Sequence, residues 1–467
     1  MAVREGELRD LCEEHGASEV FRFWDRLDDG GRERLLGQVD QLDFALLGEL
    51  RELLSRPEPA AQSLQPEPPR LFPLERDAAL EIEAREAARQ GERLLAEGLV
   101  GFLLVAGGQG SRLGFDGPKG LFPVGPVSGM SLFEWHARRL LAARERYGVV
   151  SPWYVMTSAT NDTKTRAFFA EHEWFGLGEQ NVVFFRQAML PALDEQGRIL
   201  MSAPDSLFLA PNGHGGVLAA MERSGALADA ERRGVECFSY FQVDNPLAMP
   251  ADPLFLGLHA LEGASMSSKV VAKRDALEKV GVLARIDGRL GCIEYSDLAD
   301  ELRHARDDRG KLLFRAGNIA LHVLERRFVE ELTRGGRLSL PWHMAQKEMD
   351  ALDEDGRLVK RGGVKFETFV FDALALAARS VTLEVDRARE FSPVKNAEGE
   401  DSPASARRDL TRQFASWLAA AGLSPPPAGP DGSPPLEVDP CFAEDAAGFR
   451  ARLPAEPRRG PAGELWR

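Results

Sequence analysis

The sequence predicts an α/β protein: a doubly wound, mostly parallel mixed sheet with a helical N-terminal region and a small C-terminal domain. Apolar runs typical of buried strands alternate with helical segments between residues 99 and 243, which favours right-handed crossovers. The first run ends in a glycine-rich turn, at the edge where parallel sheets bind ligands. Proline-rich segments at 56–69 and 424–435 separate this region from both chain ends. The expected domains are 1–69, 70–385 and 386–467.

Helical periodicity dominates the start of the chain. Apolar residues at helical spacing from Gly6 to Leu54 predict a small helical N-terminal domain. After the proline-rich connector, a helix from Asp77 to Glu97 leads into the strand at 99–106. Beyond the glycine-rich turn, Ser131 and Glu134 have the spacing of a capping box, which predicts the start of another helix.

The central region continues as alternating strands and helices. The predicted strands are 153–157, 182–185 and 238–243, and the predicted helices are 163–171 and 218–227. Short strands follow at 270–273, 280–286 and 291–295, the last two joined by Asp287-Gly288, which favours a type I′ hairpin turn. We therefore expect a mixed or antiparallel extension of the sheet.

The C-terminal part departs from this pattern. From about Ala373 onward we expect the sheet to end, with a helix around 405–421 and a small appendage at 436–467.

Composition limits the class of protein. The chain has 467 residues, enough for a large core, and 44% hydrophobic and 28% charged residues, as in soluble globular proteins. A formal net charge of −15 argues against nucleic acid or an anionic membrane as the main partner. The four cysteines form no CxxC pair, so neither a disulfide framework nor a zinc site is indicated. With no N-terminal apolar segment, we expect a cytoplasmic protein of undetermined oligomeric state.

The glycine-rich turn is typical of a phosphate-binding loop. Glycine backbone can approach a ligand closely and direct its N–H groups at phosphate oxygens, and Arg112 and Lys119 would add charged donors. The dinucleotide fingerprint needs glycine where Leu113 stands, and the Walker A motif needs a Gly-Lys-Ser/Thr sequence that is absent here. A nucleotidyltransferase loop remains, with an ordinary strand-to-helix turn as the alternative. The four glycines of the turn are Gly107, Gly108, Gly110 and Gly114.

Further polar residues follow predicted strands. Asp244 ends a hydrophobic strand and could hold Mg²⁺, although an Asx turn that stops the strand is the alternative. A second glycine cluster, 210–216, could admit a sugar or base beside His214, or form a flexible surface turn. Gln187 could line a base pocket or simply pack, and Glu294 and Asn318 suit sugar recognition.

Together these motifs resemble the eukaryotic-type UDP-sugar pyrophosphorylase family, and within it the UDP-N-acetylglucosamine pyrophosphorylases. The similarity extends from about Leu71 to Arg407, and its motifs keep the order of the family. The matching segments are 104–114 with 118–120, 156–158, 187–191, 243–245, 280–282, 293–296, 316–319, 369–372 and 391–396.

The resemblance implies a nucleotidyltransferase sheet of Rossmann-like type and a role for each matching residue. The implied nucleotide-binding residues are Ala106, Gly107, Gly108, Gln187 and Gly213, of which the first four would contact the uridine. Phosphates would be bound by Arg112, Lys119 and Lys395, and Mg²⁺ by Asp244. The sugar would lie among His214, Glu294, Asn318, Phe369 and Phe371. The implied reaction is in-line attack of a sugar 1-phosphate on the α-phosphorus of UTP.

One departure concerns the sugar. The N-acetylglucosamine enzymes usually carry Gly-Asn-Gly-Gly, whereas this chain has Gly213-His214-Gly-Gly, which is more similar to glucose and broad-specificity enzymes. An N-acetylhexosamine 1-phosphate is the expected substrate, and glucose or galactose 1-phosphate is the alternative. A non-catalytic UDP-sugar-binding protein is a further alternative, although the residues implied in catalysis are all present.

Overall fold

The computed structural model describes residues 2–56, 65–430 and 432–467, so residues 57–64 of the predicted connector lie outside it. The chain forms two compact units. The first contains residues 1–64, 187–216 and 340–370, and the second contains 65–186, 217–339 and 371–467. These units group the chain differently from the predicted boundaries at 69 and 385. A division into three independently folding domains stays a prediction.

Helices form the N-terminal region and alternate with strands thereafter. They are α1 (Ala2–Glu14), α2 (Asp29–Val39), α3 (Phe44–Ser55), α4 (Ala78–Ala96), α5 (Leu132–Tyr147), α6 (Asp162–Glu171), α7 (Gly216–Ser224), α8 (Ala226–Arg232), α9 (Pro253–Glu262), α10 (Asp300–His304), α11 (Arg326–Leu332), α12 (Arg387–Glu390), α13 (Pro403–Ala420) and α14 (Ala446–Ala451).

The strands are mostly short. They are β1 (Val100–Val105), β2 (Trp153–Thr157), β3 (Val182–Arg186), β4 (Met189–Pro191), β5 (Met201–Ala203), β6 (Ser206–Leu207), β7 (Leu209–Pro211), β8 (Cys237–Gln242), β9 (Met266–Ala272), β10 (Val282–Ile286), β11 (Arg289–Ile293), β12 (Ala316–Glu325), β13 (His343–Leu352), β14 (Leu358–Glu367), β15 (Thr382–Glu384), β16 (Leu436–Val438), β17 (Arg458–Gly460) and β18 (Gly463–Trp466).

The second unit is built on one mixed sheet, in which nine strands of the described residues take part. Its order is β11-β10-β12-β8-β1-β2-β3, with β9 beside β12 and β15 beside β9. Following the pairings strand by strand, all but β11 and β12 run in one direction. The predicted doubly wound, mostly parallel sheet with an antiparallel extension is confirmed. Its centre is apolar because β1 and β2 are buried on both faces.

Local sequence signals correctly located the starts of two helices and one hairpin turn. Asp77, where a helix was predicted to begin, caps α4. The Ser131 side chain accepts a hydrogen bond from Glu134 N at the start of α5, as the predicted cap requires. The hairpin turn between β10 and β11 has positive φ at both Asp287 (51°) and Gly288 (78°), as a type I′ turn requires.

Two predictions of secondary structure were wrong, and one hairpin was missed. The helix predicted at 218–227 is broken into α7 and α8 by Gly225, whose φ is +79°. The sheet does not end near Ala373, because β15 pairs in parallel with β9. The long hairpin of β13 and β14 was not predicted, since most of its side chains are exposed or half-buried and leave no apolar run.

The first unit has its own core. Buried residues of α1 to α3, such as Leu35 and Leu47, share it with Leu193, Met201 and Phe366 from the two later segments. The helical character predicted for 6–54 is confirmed, and it depends on these partners because the helices bury only one side each.

The C-terminal residues share the core of the second unit. Phe414 and Trp417 of α13, Leu436 of β16 and Trp466 of β18 pack in the cluster that contains Trp135 of α5. The small sheet β16-β18-β17 forms the predicted appendage. Among the residues described, no helix is long and apolar enough to cross a membrane.

Candidate functional site

The glycine-rich loop begins where β1 ends and folds back on itself. Gly110 N donates to Gly117 O at 2.8 Å, and Lys119 N donates to Gly108 O at 3.1 Å. A Cβ on Gly110 would lie 2.8 Å from the ring of Phe115, closer than real contacts allow. The turn therefore requires glycine at this position for space.

Two N–H groups of the loop donate no main-chain hydrogen bond within the described segments. They belong to Gly107 and Gly108, and such donors are expected in a loop that receives a ligand. Buried Asn161, at the turn after β2, orients this part of the loop. Its Nδ2 donates to Ala106 O at 2.9 Å and to Gly108 O at 3.3 Å. Sequence reasoning missed Asn161, although it follows the 156–158 motif by three residues.

Lys119 and Asp244 are brought together at the carboxyl ends of two parallel neighbours. Lys119 belongs to the loop after β1, and Asp244 follows β8, which pairs with β1 in parallel. Lys119 Nζ lies 3.7 Å from Asp244 Oδ2, and the two side chains are 17% and 12% exposed. A mostly buried cation and carboxylate side by side can serve a phosphate and a metal ion together.

The turn that carries Asp244 is held from one side by helix α5. Trp135 Nε1 donates to Pro246 O at 2.9 Å, and Arg139 Nη2 donates to the same oxygen at 3.2 Å. His136 Nε2 lies 3.1 Å from Val243 O. Burial lowers the pKa of His136 to about 3, so the ring is neutral and donates its Nε2 proton to this carbonyl. We call Trp135, His136 and Arg139 the α5 clamp.

The sequence analysis did not identify the α5 clamp. A capping box located the start of α5, and the helical spacing of apolar residues indicates its buried face. Neither signal identifies the main-chain carbonyls that the polar atoms reach. Those carbonyls are more than 100 residues away, so the contact depends on the tertiary fold.

The same turn is also held by the segment around Lys395. Val394 N donates to Asp244 O at 2.8 Å, and Asn245 Nδ2 donates to Glu390 O at 2.7 Å. These bonds fix the main chain one residue before Lys395, whose Nζ lies 5.8 Å from the ring centre of Phe391. Lys395 is therefore anchored close to Asp244 through the backbone, while its side chain is exposed.

Arg112 lies on the short helical turn Ser111–Leu113 inside the glycine-rich loop. Its side chain is exposed, whereas the neighbouring Leu113 is buried and anchors the turn. This arrangement places a guanidinium at the surface of the loop, where it can reach a ligand's phosphate without breaking a core contact.

Glu294 and Asn318 lie close to one another at the antiparallel end of the sheet. Asn318 Nδ2 lies 3.9 Å from Cys292 Sγ, and the negative charge of Glu294 raises the pKa of the same thiol. Burial and the charge of Glu294 raise the pKa of Cys292, which is therefore a neutral thiol. Phe371 is also buried. Its neighbour in the sequence is Asp372, whose charge likewise raises the pKa of Cys292.

Asn318 occupies an irregular part of β12. The register between β12 and β9 shifts between Asn318 and His322, and Ala320 has φ of +54°. Asn318 Oδ1 accepts a hydrogen bond from Ala320 N at 3.0 Å and so supports this bulge. Bulges re-aim side chains beside binding sites, which makes the position suitable for recognising a polar ligand.

The first unit contains Gln187 and the second glycine cluster. Gln187 Nε2 donates to Gly213 O at 2.7 Å. Gly213 has φ of +81°, and a Cβ there would lie 2.3 Å from Thr368 O. Gly215 N donates to Thr368 O at 2.8 Å. The loop therefore packs against Thr368 and does not form a flexible surface turn.

His214 stacks on Phe369 within the same unit. The two rings are 5.3 Å apart at 25°, and Val370 N donates to His214 Nδ1 at 3.3 Å. Because Nδ1 accepts, a neutral ring carries its proton on Nε2. The ring of His343 lies 4.5 Å from Phe369, a contact that the sequence did not predict.

The predicted site residues thus fall into two groups, one in each unit. The second unit holds Ala106, Gly107, Gly108, Arg112, Lys119, Asp244, Glu294, Asn318, Phe371 and Lys395. The first unit holds Gln187, Gly213, His214 and Phe369.

Asp244 is the residue whose chemistry fits a divalent cation. In the described residues, no cluster of three or more His, Cys, Asp or Glu could hold a metal ion. Mg²⁺ is commonly held by one or two carboxylates together with substrate phosphates, so a single carboxylate beside a phosphate loop fits such an ion.

Comparisons with known proteins agree with one another. A family model described as UTP--glucose-1-phosphate uridylyltransferase matches residues 68–401. UDP-N-acetylhexosamine pyrophosphorylase-like protein 1 of Xenopus tropicalis is 38% identical over 89% of this chain and 84% of its own. UDP-N-acetylglucosamine pyrophosphorylase of Saccharomyces cerevisiae is 34% identical over 89% of this chain and 91% of its own. The inhibitor complex of the uridine diphosphate N-acetylglucosamine pyrophosphorylase from Trypanosoma brucei has a TM-score of 0.80 at 26% identity, covering 98% of both chains.

Proposed function

Because the chain belongs to the UTP--glucose-1-phosphate uridylyltransferase family, we propose that it is a uridylyltransferase forming UDP-N-acetylhexosamine, chiefly UDP-N-acetylglucosamine, and pyrophosphate. Its substrates are UTP and the corresponding sugar 1-phosphate. The resemblance inferred from the sequence motifs is confirmed by the family match and by relatives at 34–38% identity. The observation that carries the proposal is the Lys119–Asp244 pair beside the glycine-rich loop.

In the proposed reaction, an oxygen of the sugar 1-phosphate attacks the α-phosphorus of UTP. The new P–O bond forms as the bond to the β-phosphate oxygen breaks, and pyrophosphate leaves. The attacking phosphate is already ionised, so no general base is required. Arg112, Lys119 and Lys395 neutralise the phosphates and hold the nucleophile in line.

Binding of the nucleotide and the sugar is assigned to the remaining candidates. Ala106, Gly107 and Gly108 contact the uridine, and their support by Asn161 favours a fixed loop. Gln187 and Gly213 are proposed to contact the base, since the hydrogen bond between them fixes the orientation of the Gln187 side-chain amide. The sugar-binding residues are His214, Glu294, Asn318, Phe369 and Phe371.

Asp244 is proposed to hold Mg²⁺, which when bound shields the phosphate charges and polarises the phosphorus under attack. The α5 clamp and Asn245 fix the backbone on both sides of Asp244, so its carboxylate is positioned before substrate arrives.

The reaction can be tested with the purified full chain, UTP and Mg²⁺. Pyrophosphate release is followed with N-acetylglucosamine, N-acetylgalactosamine, glucose and galactose 1-phosphates in parallel. We expect kcat/KM to be at least about tenfold higher for an N-acetylated sugar, about the discrimination that one well-placed polar contact provides. Equal rates with glucose 1-phosphate would refute the sugar assignment. Tight binding of the UDP-sugar without pyrophosphate exchange would refute the enzymatic function.

Glucose or galactose 1-phosphate is the second candidate substrate, and His214 is the observation that favours it. The imidazole is fixed by Phe369 and Val370 N, and it stands where the N-acetylglucosamine enzymes usually have asparagine. His214→Asn should raise the preference for the N-acetylated sugar if this position faces the acetamido group. His304→Asn, at an exposed histidine of α10, is the matched control and should leave the preference unchanged.

A cytoplasmic location is proposed as well. All four cysteines are free thiols, as is usual in a reducing compartment. A fluorescent fusion that enters a secretory compartment would contradict it.

A further inference from the structure

The second unit carries a groove lined by arginines that the proposed reaction does not use. The groove has a volume of about 500 Å³ and is lined by four segments of the chain, three of which carry arginines. Its charged residues are Arg70, Arg285, Arg289, Arg379 and one carboxylate, Glu262. None of the residues assigned to UTP, metal or sugar lines it. The local charge is therefore +3 in a protein whose net charge is −15.

Three of the four guanidinium groups are positioned by main-chain carbonyls. Arg285 Nη2 donates to Gly288 O at 2.7 Å, Arg379 Nε donates to Gly263 O at 3.1 Å, and Arg289 Nη1 lies 3.5 Å from Ala375 O. A guanidinium has five N–H donors, so each keeps donors for another acceptor.

Ion pairs do not neutralise this cluster. Across the ranges that the structure describes, none of the four arginines has a carboxylate oxygen within 4.0 Å, although ion pairs are common elsewhere in the chain. Converging like charges repel, and the repulsion is relieved by an anion bound among them.

The groove has a fixed backbone frame. Glu67 and Arg285 exchange two main-chain hydrogen bonds of 2.9 and 2.8 Å, and Phe72 N donates to Thr382 O at 2.8 Å. The segment carrying Arg70 is thus fastened at one end to β10 and at the other beside β15. Ser265 N donates to Arg379 O at 3.0 Å and fixes the third segment. Arginines on a rigid frame lose less freedom when they bind.

We propose that this groove is a binding site for a soluble small molecule that carries two or more linked phosphate groups. Arginine forks match phosphate oxygens in geometry as well as charge, and a groove of this volume accommodates a polyphosphate of small-metabolite size. Several guanidinium groups from three segments suit an extended polyanion better than a single phosphate. The site does not depend on the uridylyltransferase function.

The experiment titrates inorganic tripolyphosphate into the full chain and measures binding by calorimetry in a metal-free buffer. Lys119→Gln is the parent variant, so that binding at the proposed substrate site is weakened. The groove variant adds Arg285→Gln and Arg379→Gln to this parent. The matched control adds Arg85→Gln and Arg89→Gln, two exposed arginines of α4 that also donate to main-chain carbonyls.

We expect one equivalent of tripolyphosphate to bind to the parent, with an affinity that falls as salt increases. The groove variant should lose at least about tenfold in affinity, because it lacks two of the four guanidinium groups that would donate charged hydrogen bonds to the phosphates. The control should retain the affinity of the parent.

Three outcomes would overturn the proposal. The first is equal affinity in the groove variant and the control, and the second is no binding to the parent. The third is sedimentation of the parent with phosphoinositide-containing vesicles, lost in the groove variant, in the absence of any binding of tripolyphosphate. That result would assign the arginines to a membrane headgroup instead of a free polyphosphate.

Discussion

Glu444 offers a stability test whose sign and size follow from the structure. Its carboxylate lies 3.6 Å from Nη1 of Arg139, a guanidinium that is 5% exposed. Burial raises the pKa of Glu444 from its ordinary value of 4.5 to about 7, although Arg139 opposes the rise. Burial also lowers the pKa of Arg139, so both partners are desolvated. The perturbation is Glu444→Gln, which removes the titration and keeps the shape.

Between these two pKa values, Glu444 holds a proton in the folded chain and loses it in the unfolded chain. Folding stability is therefore lost as the pH rises through this window. A shift of about 2.5 pKa units corresponds to about 3 kcal/mol, of which about 2.5 kcal/mol falls between about pH 5 and about pH 8. The side chain is 23% exposed, so little of this is screened by solvent.

The assay is urea unfolding of the wild-type chain and of Glu444→Gln at several pH values. Other groups titrate in both chains, so the quantity of interest is the difference in unfolding free energy between them. We expect the wild type to lose about 2.5 kcal/mol relative to the variant from about pH 5 to about pH 8. Glu97→Gln, at an exposed pair with Arg93, is the control and should change by less than about 0.5 kcal/mol. Parallel pH curves for wild type and Glu444→Gln would refute the reasoning.

Three further predictions concern the candidate site. Asp244→Asn should lower kcat about a hundredfold or more while the unfolding midpoint changes little, and near-normal turnover at saturating Mg²⁺ would remove Asp244 from the metal role. Gly213→Ala should destabilise the chain by about 2 kcal/mol or more in thermal unfolding, since φ is +81° and the new Cβ meets Thr368 O at 2.3 Å; an unchanged Tm would contradict the loop geometry. Trp135→Phe removes one donor from Pro246 O and should lower kcat several-fold with a smaller change in the KM for UTP; an effect on stability alone would mean that Trp135 only packs.

Much of the fold was available from the sequence because the signals for it are local. The apolar run of β1, the cap at Ser131 and the Asp287-Gly288 turn each depend on residues a few positions apart. The hairpin of β13 and β14 lacked such a signal, since most of its side chains are exposed or half-buried and apolar residues alternate with charged ones only over a few positions in each strand. The break at Gly225 was missed because periodicity continues on either side of it.

The same division applies to the site. The sequence identified the loop, Asp244 and Lys395 by residue type and motif, and the structure brings Lys119 to 3.7 Å from Asp244. It did not indicate Asn161 or the α5 clamp, which act on main-chain carbonyls and leave no motif of their own.

By itself, the sequence determined the class of fold and the family, and it predicted which residues bind phosphate, because glycine spacing, charge and apolar periodicity are local properties of the sequence. Only the tertiary structure decided which groups support Asp244 and that four arginines from three segments meet in one groove. Hydrogen bonds to distant backbone atoms, and the convergence of like charges, depend on how the sheet and its crossovers bring remote segments together.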